Sequence, residues 1–315
     1  MRRTHLVVLA ILLSGAGLAL VGYKVMALGF PLAPGEATDV WILEARFTVD
    51  AAARPVTATL QIPHEPPGYT LIDEHFVSRG FGVTVEEHAG GREARWAIRE
   101  AEGSQTFYYR VEVLADARAP APRAAPAPPV SQIDDPFERA AIEALVSEVC
   151  RRSADPMSFV PELLRRLGDP TPSDEVEILL AGGRSATQRA DVASKVLRKE
   201  GIPARVAYGL ELGDRRQFSA FLPILEVHHG GRWHHFDPRD GRRGLPADFF
   251  VWWREGRSLI EVAGARNPEV RVWTQGGLTD AVAVAESLPR PGVAVLRHNN
   301  PCGAATAETL GEAAA

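Results

Sequence analysis

The chain has 315 residues, 45% apolar and 24% charged, with a net charge of −5. That is ordinary globular composition, with room for a membrane segment and two domains. The charge is mild and no basic stripe interleaves with aromatics, so no nucleic-acid partner is expected. Two cysteines, Cys150 and Cys302, are too few for a disulfide framework or a zinc knuckle.

The N-terminus carries the first physical signal. After Met1-Arg2-Arg3-Thr4-His5 comes LVVLAILLSGAGLALVGY, residues 6–23, with no charge in it. That length spans the hydrocarbon core as a helix. Tyr23-Lys24-Val25-Met26-Ala27 is a poor cleavage site, so an uncleaved anchor over residues 1–30 is expected rather than a removed signal peptide. Arg2 and Arg3 place the N-terminus in the cytoplasm by the positive-inside rule, and the bulk of the chain outside it, periplasmic or extracytoplasmic.

Residues 38–116 alternate with period two. In WILEARFTV, Trp41, Leu43, Ala45, Phe47 and Val49 share a face; in VTATLQI, Val56, Ala58, Leu60 and Ile62 do. YTLIDEHFV, FGVTVEE, ARWAIRE and TFYYRVEVL continue the series, which predicts six short strands in a small all-β, sandwich-like domain. Residues 117–132 are so rich in Pro and Ala that neither helix nor ladder forms, and they read as an extended linker.

From 133 to 278 the period turns helical. Asp135 is a plausible N-cap with Pro136 at the first helical position. Cys150 ends that apolar pattern and reads as a small buried residue, with a bridge to Cys302 as the lesser alternative. PMSFVPELLRRL stops at Gly168, and a helix over Ala186–Lys199 ends at Gly201 with Pro203 beyond. RVAYGLEL is a strand, and FLPILEVHH and RWHHF flank Gly230-Gly231, a two-residue hairpin turn. The run Phe249 to Trp253 reads as core.

A helix, then Gly201-Ile202-Pro203-Ala204-Arg205, a strand, a hairpin and Phe236-Asp237-Pro238 resembles the core of transglutaminase-like (papain-like) cysteine peptidases and acyltransferases. In that family a cysteine opens the helix, a histidine sits on the next strand and an aspartate follows on its hairpin partner. The helix end and imidazole lower the thiol pKa, and the carboxylate orients the imidazole. Carried over residue by residue, Ala186 stands at the cysteine and Leu222 at the histidine, while Asp237 is retained. The resemblance therefore implies a degenerate triad and no catalysis, with Asp237 a structural hydrogen-bonding residue and no cofactor.

Over residues 1–275 the order of anchor, β-rich segment, linker and degenerate domain resembles one bacterial membrane-protein family, an inactive transglutaminase fused to seven transmembrane helices. No second apolar run of spanning length follows here, so the seven-helix bundle has no counterpart in this sequence. Relatives of that family are associated with ATP-grasp peptide ligases, which implies a role near peptide modification or sensing. The expected partners are a peptide or cell-envelope ligand, the membrane through the N-terminal helix, and a partner membrane protein. A vacated cleft would be lined by Ser185, Asp237 and Trp233.

Three alternatives compete. Glu226, His228, His235 and Asp237 share one face of the hairpin, a candidate metal set against the blander reading of a solvated hairpin tip. Ser185 is first an N-cap; as a hydrolase nucleophile it would need a base where Leu222 stands. The tail, 279–315, contains VLRHNNPCGAATAETLGEAA, similar to a short segment of a purine-biosynthesis transformylase; Arg297 replaces its lysine and His298 matches its histidine. About twenty residues neither fold nor catalyse alone, so no such activity is expected.

Overall fold

The computed structural model describes residues 40–88, 91–116, 133–213, 216–218, 220–246, 248–256, 258–276, 292–297 and 300–306. The described residues all fall in one compact unit, Val40–Ala315. The anchor expected over residues 1–30 and the linker expected over 117–132 lie outside the described residues. Among the described residues no helix is long and apolar enough to cross a membrane.

The fold of this unit is mixed α/β and mostly sheet. Chain order is β1 (Val40–Ile62), β2 (Tyr69–Ser78), β3 (Gly82–His88), β4 (Gly91–Ala115), α1 (Pro136–Cys150), α2 (Pro156–Leu167), α3 (Asp174–Leu179), α4 (Ala186–Lys199), β5 (Ala204–Glu211), β6 (Arg216–Phe218), β7 (Leu222–His229), β8 (Arg232–Phe236), β9 (Phe249–Arg254), β10 (Ile260–Ala263) and β11 (Ala265–Gly276). A separate hairpin, β12 (Gly292–Arg297) with β13 (Asn300–Thr306), falls in the tail.

The six expected short strands are four. WILEARFTV and VTATLQI are halves of one strand, β1, and ARWAIRE and TFYYRVEVL are halves of β4. The two run antiparallel along their whole length, with register shifts around Arg54 and a positive φ of 48° at Ala53. Such bulges bend a long strand without ending it, and a bend looks like a turn in sequence. Of the residues expected to face inward, Leu43, Ala45, Phe47, Val49, Val56, Ala58, Leu60 and Ile62 are buried and Trp41 is half-buried, while Ile42 on the opposite face is buried as well.

The expected self-contained sandwich is a seven-stranded sheet, ordered β2-β4-β1-β11-β6, with β3 on β4 and β10 on β1. Strands β6, β10 and β11 come from beyond residue 133, so the sheet draws on both sides of the expected linker. Its opposing layer does too: Leu210, Phe250 and Trp252 complete the core built by Phe47, Trp96, Phe107 and Tyr109. Trp252 is fully buried, and its Nε1 donates to the Gln61 carbonyl at 2.8 Å.

The second sheet runs β8-β7-β5-β9. Its helix-side face carries Ala204, Leu225, Val227 and Phe236, packed on Ile142, Leu145, Leu163, Val196 and Leu197 of the helices. The punctuation reads as expected: Asp135 accepts from Phe137 N–H, Pro136 opens α1, Gly168 closes α2, and α4 spans Ala186–Lys199. Gly230 and Gly231 both have positive φ (59° and 80°), as a tight two-residue hairpin requires. Cys150 corrects its reading: it is exposed and free, because the buried stripe of α1 is Ala141, Ile142, Leu145 and Val149, and the next position turns away from it.

Candidate functional site

The first turn of α4 is built by its cap. Ser185 Oγ accepts from Gln188 N–H at 3.2 Å, and Gln188 Oε1 accepts from Ser185 N–H at 3.2 Å and from its hydroxyl at 3.0 Å. Gln188 Nε2 also donates to the Gly182 carbonyl. The backbone at Gly183 (φ 130°) lies so close to the Gln188 amide that a Cβ would collide with it. Ser185 is therefore exposed and committed to the cap. Ala186, the first helical residue, is half-buried.

Leu222 opens β7. It packs with Ala207, Ile224, Phe249 and Val251, whereas Leu225 and Val227 of the same strand join the helix-side core. Strand alternation thus places Leu222 on the face away from α4. Opposite it stands Gly209, where a Cβ would strike the Phe250 carbonyl and the Phe249 ring.

Asp237 follows β8. It is buried, and its carboxylate accepts Arg239 N–H at 2.8 Å and the Arg239 guanidinium at 2.7–3.0 Å. That bonding raises the Arg239 pKa from its ordinary value. Asp237 N–H donates to Arg242 O, and its carbonyl accepts from Gly241 N–H, so the residue organises the loop after the hairpin.

The other face of the hairpin holds the polar centre. As the turn dictates, Glu226 pairs with His235 and His228 with Trp233. Glu226 is fully buried. Its Oε2 accepts from Arg205 Nε at 2.5 Å and Arg254 Nε at 2.9 Å, and its Oε1 lies 3.3 Å from both Arg254 Nη2 and His235 Nε2. Burial works against the charged carboxylate, but Arg254, His235 and Arg205 outweigh it and hold the group well below the usual range. Burial also pulls the Arg205 guanidinium down, with Glu226 opposing. Arg205 stacks 3.9 Å over the Trp233 ring, and Arg254 Nη1 donates to the His64 carbonyl at 2.9 Å. Two arginines thus occupy the carboxylate that the metal reading needs as a ligand, and among the described residues no group of three or more His, Cys, Asp or Glu is placed to hold a metal.

His235 reaches from this centre into an open groove of about 540 Å³, lined also by Pro67, Tyr69, Asp116, Leu245, Pro246 and Phe249. The groove brings together the start of β2, the end of β4 and the loop before β9. Of the expected cleft residues, Ser185, Asp237 and Trp233 are not among its lining. Sequence reading missed both the arginine clasp and the groove. One signal was there: Arg205 falls opposite Glu226 once β5 and β7 are paired through the Gly-Ile-Pro-Ala-Arg strand. The groove has no local signal, since its walls are far apart in the chain.

With this geometry, the class of protein is a transglutaminase-like domain preceded by a β-rich segment. Residues 23–183 match the family described as inactive transglutaminase fused to 7 transmembrane helices. The chain belongs to that family, whose description makes it a membrane-protein family. The match ends before Ser185, so Ala186, Leu222 and Asp237 lie outside it. A solved structure titled a putative cysteine protease from Cytophaga hutchinsonii is similar over 75% of this chain and 91% of its own, at 14% identity and a TM-score of 0.46. No curated protein matches the chain.

Proposed function

We propose that this protein is a membrane-anchored, extracytoplasmic pseudoenzyme that binds a peptide or another cell-envelope component, in sensing or scaffolding. Membership of an inactive family is the starting point. By motif spacing we read Ala186 and Leu222 at the thiol and imidazole positions of active transglutaminase-like domains, although Leu222 faces away from α4, and neither side chain attacks a carbonyl or moves a proton. The observation that carries the binding reading is the groove beside His235. Prolines, a tyrosine, a phenylalanine and a leucine suit an extended apolar segment. A single imidazole and the Asp116 carboxylate supply polar fixing points, the usual make-up of a ligand cleft.

His235 is itself positioned. One ring nitrogen faces Glu226, and the ring lines the groove. The uncleaved N-terminal helix would hold the groove close to the envelope, and a partner membrane protein would receive the signal or supply further membrane helices. The competing reading, a hydrolase on Ser185 or a metal enzyme on His228 and His235, calls for a base beside a hydroxyl that caps a helix, or a free carboxylate where Glu226 is clasped by arginines.

The test is a binding screen of the full chain in detergent against labelled envelope peptides, read by fluorescence anisotropy. At least one peptide is expected to bind, and Leu245→Arg, at the groove wall, to weaken it about tenfold or more. No binding across the panel, or binding indifferent to Leu245→Arg, overturns the proposal.

A further inference from the structure

The outer face of the larger sheet carries a charge arrangement that the fold does not require. Ala45 and Phe47 of β1 and Val272 of β11 are buried in the core. They fix the register of the two strands, because a slip of one residue would turn them to solvent. The residues between them then meet on the opposite face. Arg46 falls directly opposite Arg271, and Thr48 opposite Glu269. On its other side Arg46 faces Tyr108 of β4.

Like charges in directly opposite positions destabilise a sheet, and any polar side chain would serve on this face. The pair is also incompletely neutralised. Arg271 donates through Nε and Nη2 to one oxygen of Glu269, at 2.8 and 2.5 Å. Among the described residues Arg46 has no carboxylate partner, and its guanidinium carbon lies 5.8 Å from the centre of the Tyr108 ring. Glu44, next on the same face, stands between Arg110 and Trp273. Arg46, Thr48, Glu269 and Arg271 together line an open cavity of about 130 Å³. Two guanidinium groups against one carboxylate leave that cavity positive.

We infer that this cavity is a binding site for a phosphate group, free or carried by a lipid headgroup. A guanidinium is a planar fork that takes two oxygens of an oxyanion. A carboxylate is satisfied by one such fork. A tetrahedral phosphate still offers oxygens to the second, and Thr48, in the lining, adds a hydroxyl donor. A phosphate held between the two arginines replaces their repulsion with attraction to a shared anion. Glu269 is then a competitor for Arg271. Their pair is about half exposed on both sides, 51% and 58%, and such pairs are weak in solvent, so a doubly charged ligand displaces it. The site shares no lining residue with the His235 groove and does not depend on a ligand there.

The experiment is isothermal titration of the full chain in detergent with inorganic phosphate, at neutral pH and about 0.15 M salt. One phosphate per chain is expected to bind, with a Kd of about 1 mM or tighter. Arg46→Gln and Arg271→Gln should each weaken binding about tenfold or more, and Glu269→Gln, which removes the competitor, should tighten it about threefold. Phosphate should also raise the Tm of the wild type by mass action and leave that of Arg46→Gln unmoved. Titration with a soluble short-chain phosphatidic acid separates the sources. Binding about tenfold tighter than inorganic phosphate supports the site with a lipid headgroup as its ligand, and equal or weaker binding supports it with free phosphate. No phosphate binding up to about 20 mM, an affinity indifferent to Arg46→Gln, or weaker binding by Glu269→Gln overturns the inference.

Discussion

Two carboxylates at the β7–β8 hairpin, Glu226 and Asp237, are both buried and both bound by arginine, yet they hold different things together. Asp237 takes a guanidinium from two residues away, Arg239, which is half exposed. The pair shapes a loop. Glu226 takes Arg205 from β5 and Arg254 from β9, and Arg254 reaches on to the carbonyl of His64 in the β1–β2 connection. That cluster ties the four-stranded sheet to the larger one. Burial alone therefore does not rank the two. What matters is how many separate segments lose their anchor when the charge is removed.

Glu226→Gln is the largest expected break. It leaves two buried guanidinium groups facing a neutral amide, and removing one partner of a buried pair costs about 3–5 kcal/mol. The effect has a pH signature. The folded carboxyl is held below its ordinary value, so its stabilisation is fully present above the unfolded pKa of about 4.3 and is lost as pH falls through the folded value. Urea melts of the wild type should lose stability below about pH 4.3, with a shallower decline in Glu226→Gln. A variant as stable as wild type at neutral pH would refute the tie between sheets. If it fails to fold, Arg254→Met, which also releases the His64 contact, reports on the same cluster.

Asp237→Asn should cost less, about 1–2 kcal/mol, because an amide oxygen still accepts from the loop and Arg239 is half solvated. Hydrogen exchange is the sharper readout. Faster exchange confined to residues near 237–244 is expected, with β5 and β9 unchanged. Loss of protection across the whole sheet would erase the distinction from Glu226.

The same contrast between local and long-range ties explains how much was legible in the sequence. The extent of helix α4, roughly Ala186 to Lys199, is legible because its signals are local: Ser185 at the cap, Gly201 and Pro203 past the end. The hairpin at Gly230-Gly231 was equally plain, and with it the facing of Glu226 and His235. Nothing in the sequence signals where β10 and β11 pair, because their partner β1 lies some two hundred residues earlier, although Glu269-Val270-Arg271-Val272 alternates as a strand does. β1 and β4 were each cut in two because a bulge at Arg54 and a glycine at Gly103 mimic turns. At the candidate site, Ala186, Leu222 and Asp237 are assigned by motif spacing alone. That Leu222 faces away from α4 followed only from the packing of the paired strands, and the groove required both sheets at once.

The smallest expected effect tests the most local tie. Ser185 lies where a rebuilt nucleophile would stand, but its hydroxyl serves the capping box with Gln188. Ser185→Ala removes that acceptor from the first turn of α4, and such caps contribute about 1 kcal/mol. Ser185→Asp, which supplies another capping oxygen and a charge suited to a helix N-terminus, should recover most of the loss. Chemical denaturation of wild type and both variants checks the order. A capping role predicts rescue by aspartate and unchanged peptide binding. If aspartate fails to rescue stability while alanine abolishes binding, Ser185 belongs to a ligand site, and the separation drawn between the α4 terminus and the His235 groove collapses.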